Sequence, residues 1–157
     1  MARVYRVTFE GVLVSGATND LLELKGAAGK SLRVKRYWAG NTDTTLSTAQ
    51  MMQTRCRFLP ATVTDGSGGT TPTPQKTDPG DAAASATALA NNTTKATTSG
   101  TAVTIDEQGW QIYAGVDISY QAPPIVGPSE AFVFELLSTV TGTVHLSGGI
   151  EFEEIGG

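Results

Sequence analysis

Polar and apolar side chains alternate with a period of two along much of this chain, most clearly from Trp110 to Tyr120. There Trp110, Ile112, Ala114, Val116, Ile118 and Tyr120 fall on one face, and Gln111, Tyr113, Gly115, Asp117 and Ser119 on the other. Successive strand residues point to opposite faces, so the pattern predicts one long strand in an antiparallel sheet covered on one side. The same alternation marks five more inward sets: Tyr5, Val7 and Phe9; Leu32, Val34 and Trp38; Cys56 and Phe58; Phe132, Phe134 and Leu136; Ile150 and Phe152. Arg36 interrupts the second of these, which reads as a strand nearing its end, where a long side chain reaches water. Gly11 predicts a bulge, because glycine weakens a strand interior unless the backbone bends there.

About eight or nine strands emerge, joined by turn-rich pieces such as Ser15-Gly16-Ala17-Thr18-Asn19, Gly26-Ala27-Ala28-Gly29 and Thr141-Gly142-Thr143. Many short strands with regularly spaced turns predict an all-β sandwich or barrel. One short helix is expected near Thr45 to Met52, where Thr and Ser can cap and Ala, Gln and Met continue. Residues 62–104 differ in kind: they are rich in Thr, Ala, Gly, Ser, Asn and Pro, and no aromatic residue stands between Phe58 and Trp110. That irregular insertion is expected to add little core, with Asp81 to Leu89 and Thr101 to Ile105 its ordered parts. It forms either a surface loop on its own sheet or an arm that clasps another subunit.

A length of 157 residues suits a single domain spanning 1–157, since a chain this size hides about 70% of its unfolded surface without staples. Charge is lopsided: 11 basic and 7 acidic residues run up to Lys95, and no basic but 8 acidic residues follow, for a net −4. An acidic total argues against nucleic acid as a partner. Two regions of opposite sign favour contact between copies instead. No apolar run reaches signal-peptide or membrane-span length, so the expectation is a non-membrane protein made in a cytoplasm. Cys56 has no second cysteine to pair with, and Asn91-Asn92-Thr93 and Asn92-Thr93-Thr94 read as polar loop rather than glycosylation sites.

Candidate chemistry is sparse. Gly26-Ala27-Ala28-Gly29-Lys30-Ser31 ends like a phosphate-binding loop, but Leu24 stands where that motif needs glycine, and a strand follows where it needs a helix. It reads as a hairpin turn. His145 is the one histidine, which rules out two-histidine metal sites within the chain, and in Val144-His145-Leu146 it reads as a packed or edge residue. Cys56 alternates away from Arg55 and Arg57, toward Phe58, as a small core side chain. Asp78-Pro79-Gly80-Asp81 reads as a turn, not a cation or acid-base site. No catalytic residue, cofactor or metal is expected. The candidate interaction surface comprises Arg33, Lys35, Arg55, Arg57, Glu151 and Glu153, the acids forming an outward face that is either simply solvated or met by a neighbour's basic pairs. Exposed pairs are worth about 0–1 kcal/mol each, so they orient an interface more than they hold it.

Taken together, the opening Val4-Tyr5-Arg6-Val7-Thr8-Phe9-Glu10, the stretch from Asp65 through Asp81, Ala90-Asn91-Asn92-Thr93-Thr94 and the closing Ile150-Glu151-Phe152-Glu153-Glu154 resemble the small head decoration, or cement, proteins of tailed bacteriophages. The resemblance implies an antiparallel β-sandwich of jelly-roll type, often a homotrimer, on the outer capsid surface of the virion, where it bridges subunits of the major capsid protein. It implies no enzyme and carries over no residue-level role. The alternative is a phage tail or head appendage module that binds a host-surface glycan, because jelly rolls also serve as lectins. Tyr37, Tyr113 and Trp38 are then the aromatic candidates.

Overall fold

The computed structural model describes residues 3–15, 19–45 and 48–156. Among them are thirteen strands and no helix: β1 (Arg3–Ser15), β2 (Asp20–Lys25), β3 (Ser31–Asn41), β4 (Met51–Leu59), β5 (Val63–Thr64), β6 (Gln75–Lys76), β7 (Thr87–Asn92), β8 (Thr97–Thr98), β9 (Val103–Gln111), β10 (Val116–Ser119), β11 (Ile125–Val126), β12 (Ala131–Leu136) and β13 (Thr143–Ile155). Sheet A runs β10-β3-β13-β1-β6, with β11 also on β3, sheet B runs β7-β2-β12-β4-β9, and β5 and β8 form a small third sheet. Every pairing is antiparallel.

Residues of both large sheets meet in one buried cluster, including Tyr5, Val7, Ile150 and Phe152 from sheet A and Leu22, Leu24, Phe132 and Phe134 from sheet B. Tyr5 stacks on Phe152 with ring centroids 5.6 Å apart, and Tyr37 reaches across to Phe134 at 4.8 Å. Such aromatic contacts add about 0.5–1.5 kcal/mol each to the area they bury.

Several expectations change at this level. The run from Trp110 to Tyr120 is two strands in different sheets. β9 ends at Gln111, the Ala114 amide donates back to the Gln111 carbonyl at 2.8 Å, and Gly115 takes φ 73°. That left-handed turn lets the chain leave sheet B and enter sheet A as β10, at a position where side chains carry a steric penalty. Arg36 does not end its strand. β3 continues to Asn41, and the register slips between Glu151↔Arg36 and Phe152↔Val34. A bulge there turns both Lys35 and Arg36 outward, so Tyr37 becomes the core residue and Trp38 faces out. The break in β1 lies between Phe9 and Val12, where Gly11 has φ 56°.

The helix near Thr45 to Met52 is absent where the chain is described: 48–50 are irregular, Met51 and Met52 begin β4, and 46–47 lie outside the described residues, as do 16–18 of the first turn. Gly26 to Ser31 is a turn, closed by the Lys30 amide on the Ala27 carbonyl at 3.1 Å. It joins sheet B to sheet A and is not a hairpin. Residues 62–104 also contribute more core than their composition suggested. Ala86, Ala88 and Ala90 enter the main cluster, and Val63 and Ala96 pack with Leu59, Ala131 and Val133 in a second one. β7 pairs with β2 and β6 with β1, so the segment lies on both sheets of its own chain.

Gly148 sits in β13 where a Cβ would come within 2.8 Å of the Phe9 ring and 2.9 Å of Ala39 Cα, and closer still to the Trp38 carbonyl. Overpacking of this kind costs about 1–3 kcal/mol. Gly148→Ala is therefore expected to lower the urea midpoint with an unchanged slope, whereas Gly40→Ala, with nothing within 4 Å of its Cβ, leaves it nearly unmoved.

Candidate functional site

The outer face of sheet A is an ionic ladder built by strand register. Glu153 pairs with Arg33 across β13 and β3, and its carboxylate receives Arg33 Nη1 at 3.0 Å and Lys35 Nζ at 3.1 Å. Alternation about Val34 turns Arg33 and Lys35 outward, and the bulge that follows adds Arg36 to the same face. Burial pushes the Glu153 carboxyl up, but the Lys35 and Arg33 contacts more than offset it and hold it below the usual range. Glu151 takes Arg6 Nε at 2.7 Å, and Arg36 forks onto Asp117 of β10, with Nε 2.7 Å from Oδ1.

Arg55 and Arg57 lie elsewhere, on the outer face of sheet B. With Lys95 they surround Glu135 of β12, which is 1% exposed: Arg55 Nη2 and Lys95 Nζ approach at 3.1 and 2.9 Å, and Arg57 also pairs with it. The six residues singled out from sequence thus divide between two sheets. Arg33, Lys35 and Glu153 come together, Glu151 joins Arg6, and the arginines of β4 meet Glu135 within the same chain. Alternation revealed their outward direction. Their partners come from register and from the 62–104 segment, which alternation does not encode.

Beside the ladder, a groove of about 590 Å³ crosses sheet A, lined among others by Thr8, Glu10, Trp38, Asn41, Asp117 and Ser147. Trp38 packs against Gly149, whose Cβ would meet the indole at 2.8 Å, and the Arg36 guanidinium sits 5.1 Å from the ring centroid. Of the other aromatic candidates, Tyr113 is exposed and Tyr37 is buried. Tyr37 and Tyr120 donate their hydroxyls to Asp106 at 2.8 and 2.5 Å, a bridge between the sheets, and burial drives both phenols far above the range in which they ionise.

Cys56 is buried in the main core, and burial pushes its thiol well up. His145 is on β13 with its ring partly exposed and Nδ1 2.6 Å from Asp43 Oδ1; a cavity of about 350 Å³ beside this pair is lined by Thr45, Thr48, Thr141 and Thr143. In Asp78 to Asp81, the Asp81 amide meets the Asp78 carbonyl at 3.1 Å and the Gly80 amide its carboxylate at 2.8 Å, the expected turn. Among the described residues no group of three His, Cys, Asp or Glu is arranged to hold a metal, and no helix is long and apolar enough to cross a membrane.

Sequence reading missed two buried acids of β2. Asp20 is 0% exposed and Glu23 1%, and burial, the dominant cause, raises their carboxyls to about 6 and about 7. Asp20-Leu21-Leu22-Glu23 carries no period-two signal of its own, because both faces of the strand are covered. No protein-family model, curated protein or solved structure matches this chain.

Glu135→Gln leaves three cations around a neutral group. Breaking a buried pair costs about 3–5 kcal/mol, and the cations' access to water reduces the expected loss to about 2–3 kcal/mol at pH 7. Burial raises the Glu135 carboxyl, but Lys95, Arg55 and Arg57 hold it below its ordinary 4.5. Its contribution is therefore present above that value and lost as pH falls through the lower folded one. Urea melts at pH 7 and pH 3 check both points: the gap between wild type and variant is expected to narrow in acid.

Proposed function

We propose that this chain is a virion structural protein of the tailed-phage decoration type, a jelly-roll β-sandwich that sits as a homotrimer on the capsid and bridges subunits of the major capsid protein. The observation that carries this reading is the nesting of strand pairs. β1 pairs with β13, β2 with β12, β3 with β10 and β4 with β9. First with last and inward, alternating between two sheets, is the order expected of a jelly roll. The short β6 and β7 extend the two sheets at the β1 and β2 edges.

The work of such a protein is adhesion, in which weak contacts repeated by symmetry add up. The ladder of sheet A supports that role. Arg33, Lys35 and Arg36 keep 37–40% of their side chains exposed while held in place by Glu153 and Asp117. Charges already oriented steer a docking partner at little further entropy cost. A second reading, attachment to a host-surface glycan, is favoured by the groove beside Trp38, whose flat indole and fringe of hydroxyl, amide and carboxylate groups suit a sugar ring. In that reading Arg36 moves off the indole to admit the sugar.

Phage heads that bind the purified chain are expected to hold their DNA to a higher temperature than the same heads without it. Equal release temperatures would sink the cement role. Light scattering on the free protein is expected to return the mass of three chains. On a glycan array, binding that disappears in Trp38→Ala would favour the second reading over the first.

A further inference from the structure

The 62–104 segment is fastened to the outer face of sheet B through buried polar groups. Asp20 Oδ2 accepts the Ala96 amide at 2.7 Å, while Glu23 Oε2 accepts the Gly66 amide at 3.0 Å and Asn92 Nδ2 at 3.1 Å. Glu23 and Asn92 are each 1% exposed. Their planar groups already share one hydrogen bond, and each has one oxygen left over. Those two atoms, Glu23 Oε1 and Asn92 Oδ1, are both buried and both without a hydrogen-bond partner. Burying an acceptor without a donor is costly. What is missing is a donor, and a proton on Glu23 supplies one, because a carboxylic acid donates where a carboxylate only accepts.

We propose that Glu23 is protonated in the folded chain and closes a ring of two hydrogen bonds with the Asn92 side chain, a latch on the 62–104 segment that tightens in acid. The surroundings agree. On its own strand Glu23 faces Asp20 and Lys25; the covering segment brings Asp65, which pairs with Lys25 at 2.6 Å. Glu135 of β12 is occupied by Arg55, Arg57 and Lys95, and β7 brings no ionisable residue. Burial is the largest influence and raises the Glu23 carboxyl, the Gly66 amide opposes it, and the net value is about 7 against an ordinary 4.5.

The sign follows by linkage. The closed state holds its proton up to about 7 and the open state only to 4.5. Opening therefore becomes about tenfold more favourable per pH unit as pH rises between these values, and levels off above them.

Hydrogen exchange at the Gly66 amide of the full chain, corrected for the intrinsic rate, reads the latch directly, and carbon NMR follows the Glu23 carboxyl. To silence the other buried acid, the comparison is made in an Asp20→Asn background. The parent is expected to lose protection by about tenfold per pH unit from pH 5 to 7, with Glu23 titrating near the top of that window. Glu23→Gln, whose amide can donate to Asn92 Oδ1 at any pH, is expected to stay protected with no slope. A Glu23 titration below pH 5, or a Glu23→Gln variant with the parent's slope, overturns the proposal. So does protection at pH 8 that appears with millimolar calcium chloride and vanishes on chelation, because a bound cation then satisfies the free oxygens.

Discussion

All six residues of β12, Ala131 to Leu136, are buried, so neither face of this strand meets water. One face is covered by sheet A through the main core. The other needs a cover that sheet A cannot supply, and the 62–104 segment provides it with Val63 and Ala96 packed on Ala131 and Val133. Small side chains suit that task, because they let the backbone come close. At Gly69 an added Cβ would run into the Ala90 carbonyl and approach the Asn91 backbone at 2.8 Å, so the segment packs closely on its own strand β7, which pairs with β2. A composition that reads as loop material is thus used as a close-fitting lid.

Such a cover buries whatever polar groups the strands beneath it carry, and the chain solves this in three ways. Glu135 is neutralised by Arg55, Arg57 and Lys95. Glu154 takes the Ser85 and Ala86 amides at 2.6 and 2.7 Å; burial raises its carboxyl, and these amides together with the Ser85 hydroxyl and Lys30 more than reverse the shift. Glu23 has fewer donors than acceptors, and a proton makes up the difference. Each solution ties a distant part of the chain to a strand, so the polar contacts specify where the segment lies while the apolar contacts supply most of the stability.

On sheet A the same excess of acids serves another end. Glu151 and Glu153 come from the last strand, and Arg6, Arg33 and Lys35 from the first third of the chain. The imbalance between the basic first part and the acidic last part is therefore largely answered inside one molecule, where first and last strands are neighbours. In the proposed role this leaves the capsid-facing surface ordered rather than strongly charged, so recognition depends on geometry more than on net attraction.

Alternation alone determined that the chain is all-β, which positions of β1, β4, β12 and β13 face inward, and that Arg33, Lys35, Arg55, Arg57, Glu151 and Glu153 point away from the core. These follow from the period of two, a local property of extended backbone. Tertiary structure alone decided that Tyr37 rather than Trp38 enters the core, that Trp110 to Tyr120 divides between sheets, that the basic pairs find acids in their own chain, and that Asp20 and Glu23 are buried. A bulge, a left-handed turn and a covering segment each act by bringing together residues far apart in the chain, and a local pattern carries no information about what will lie across from it.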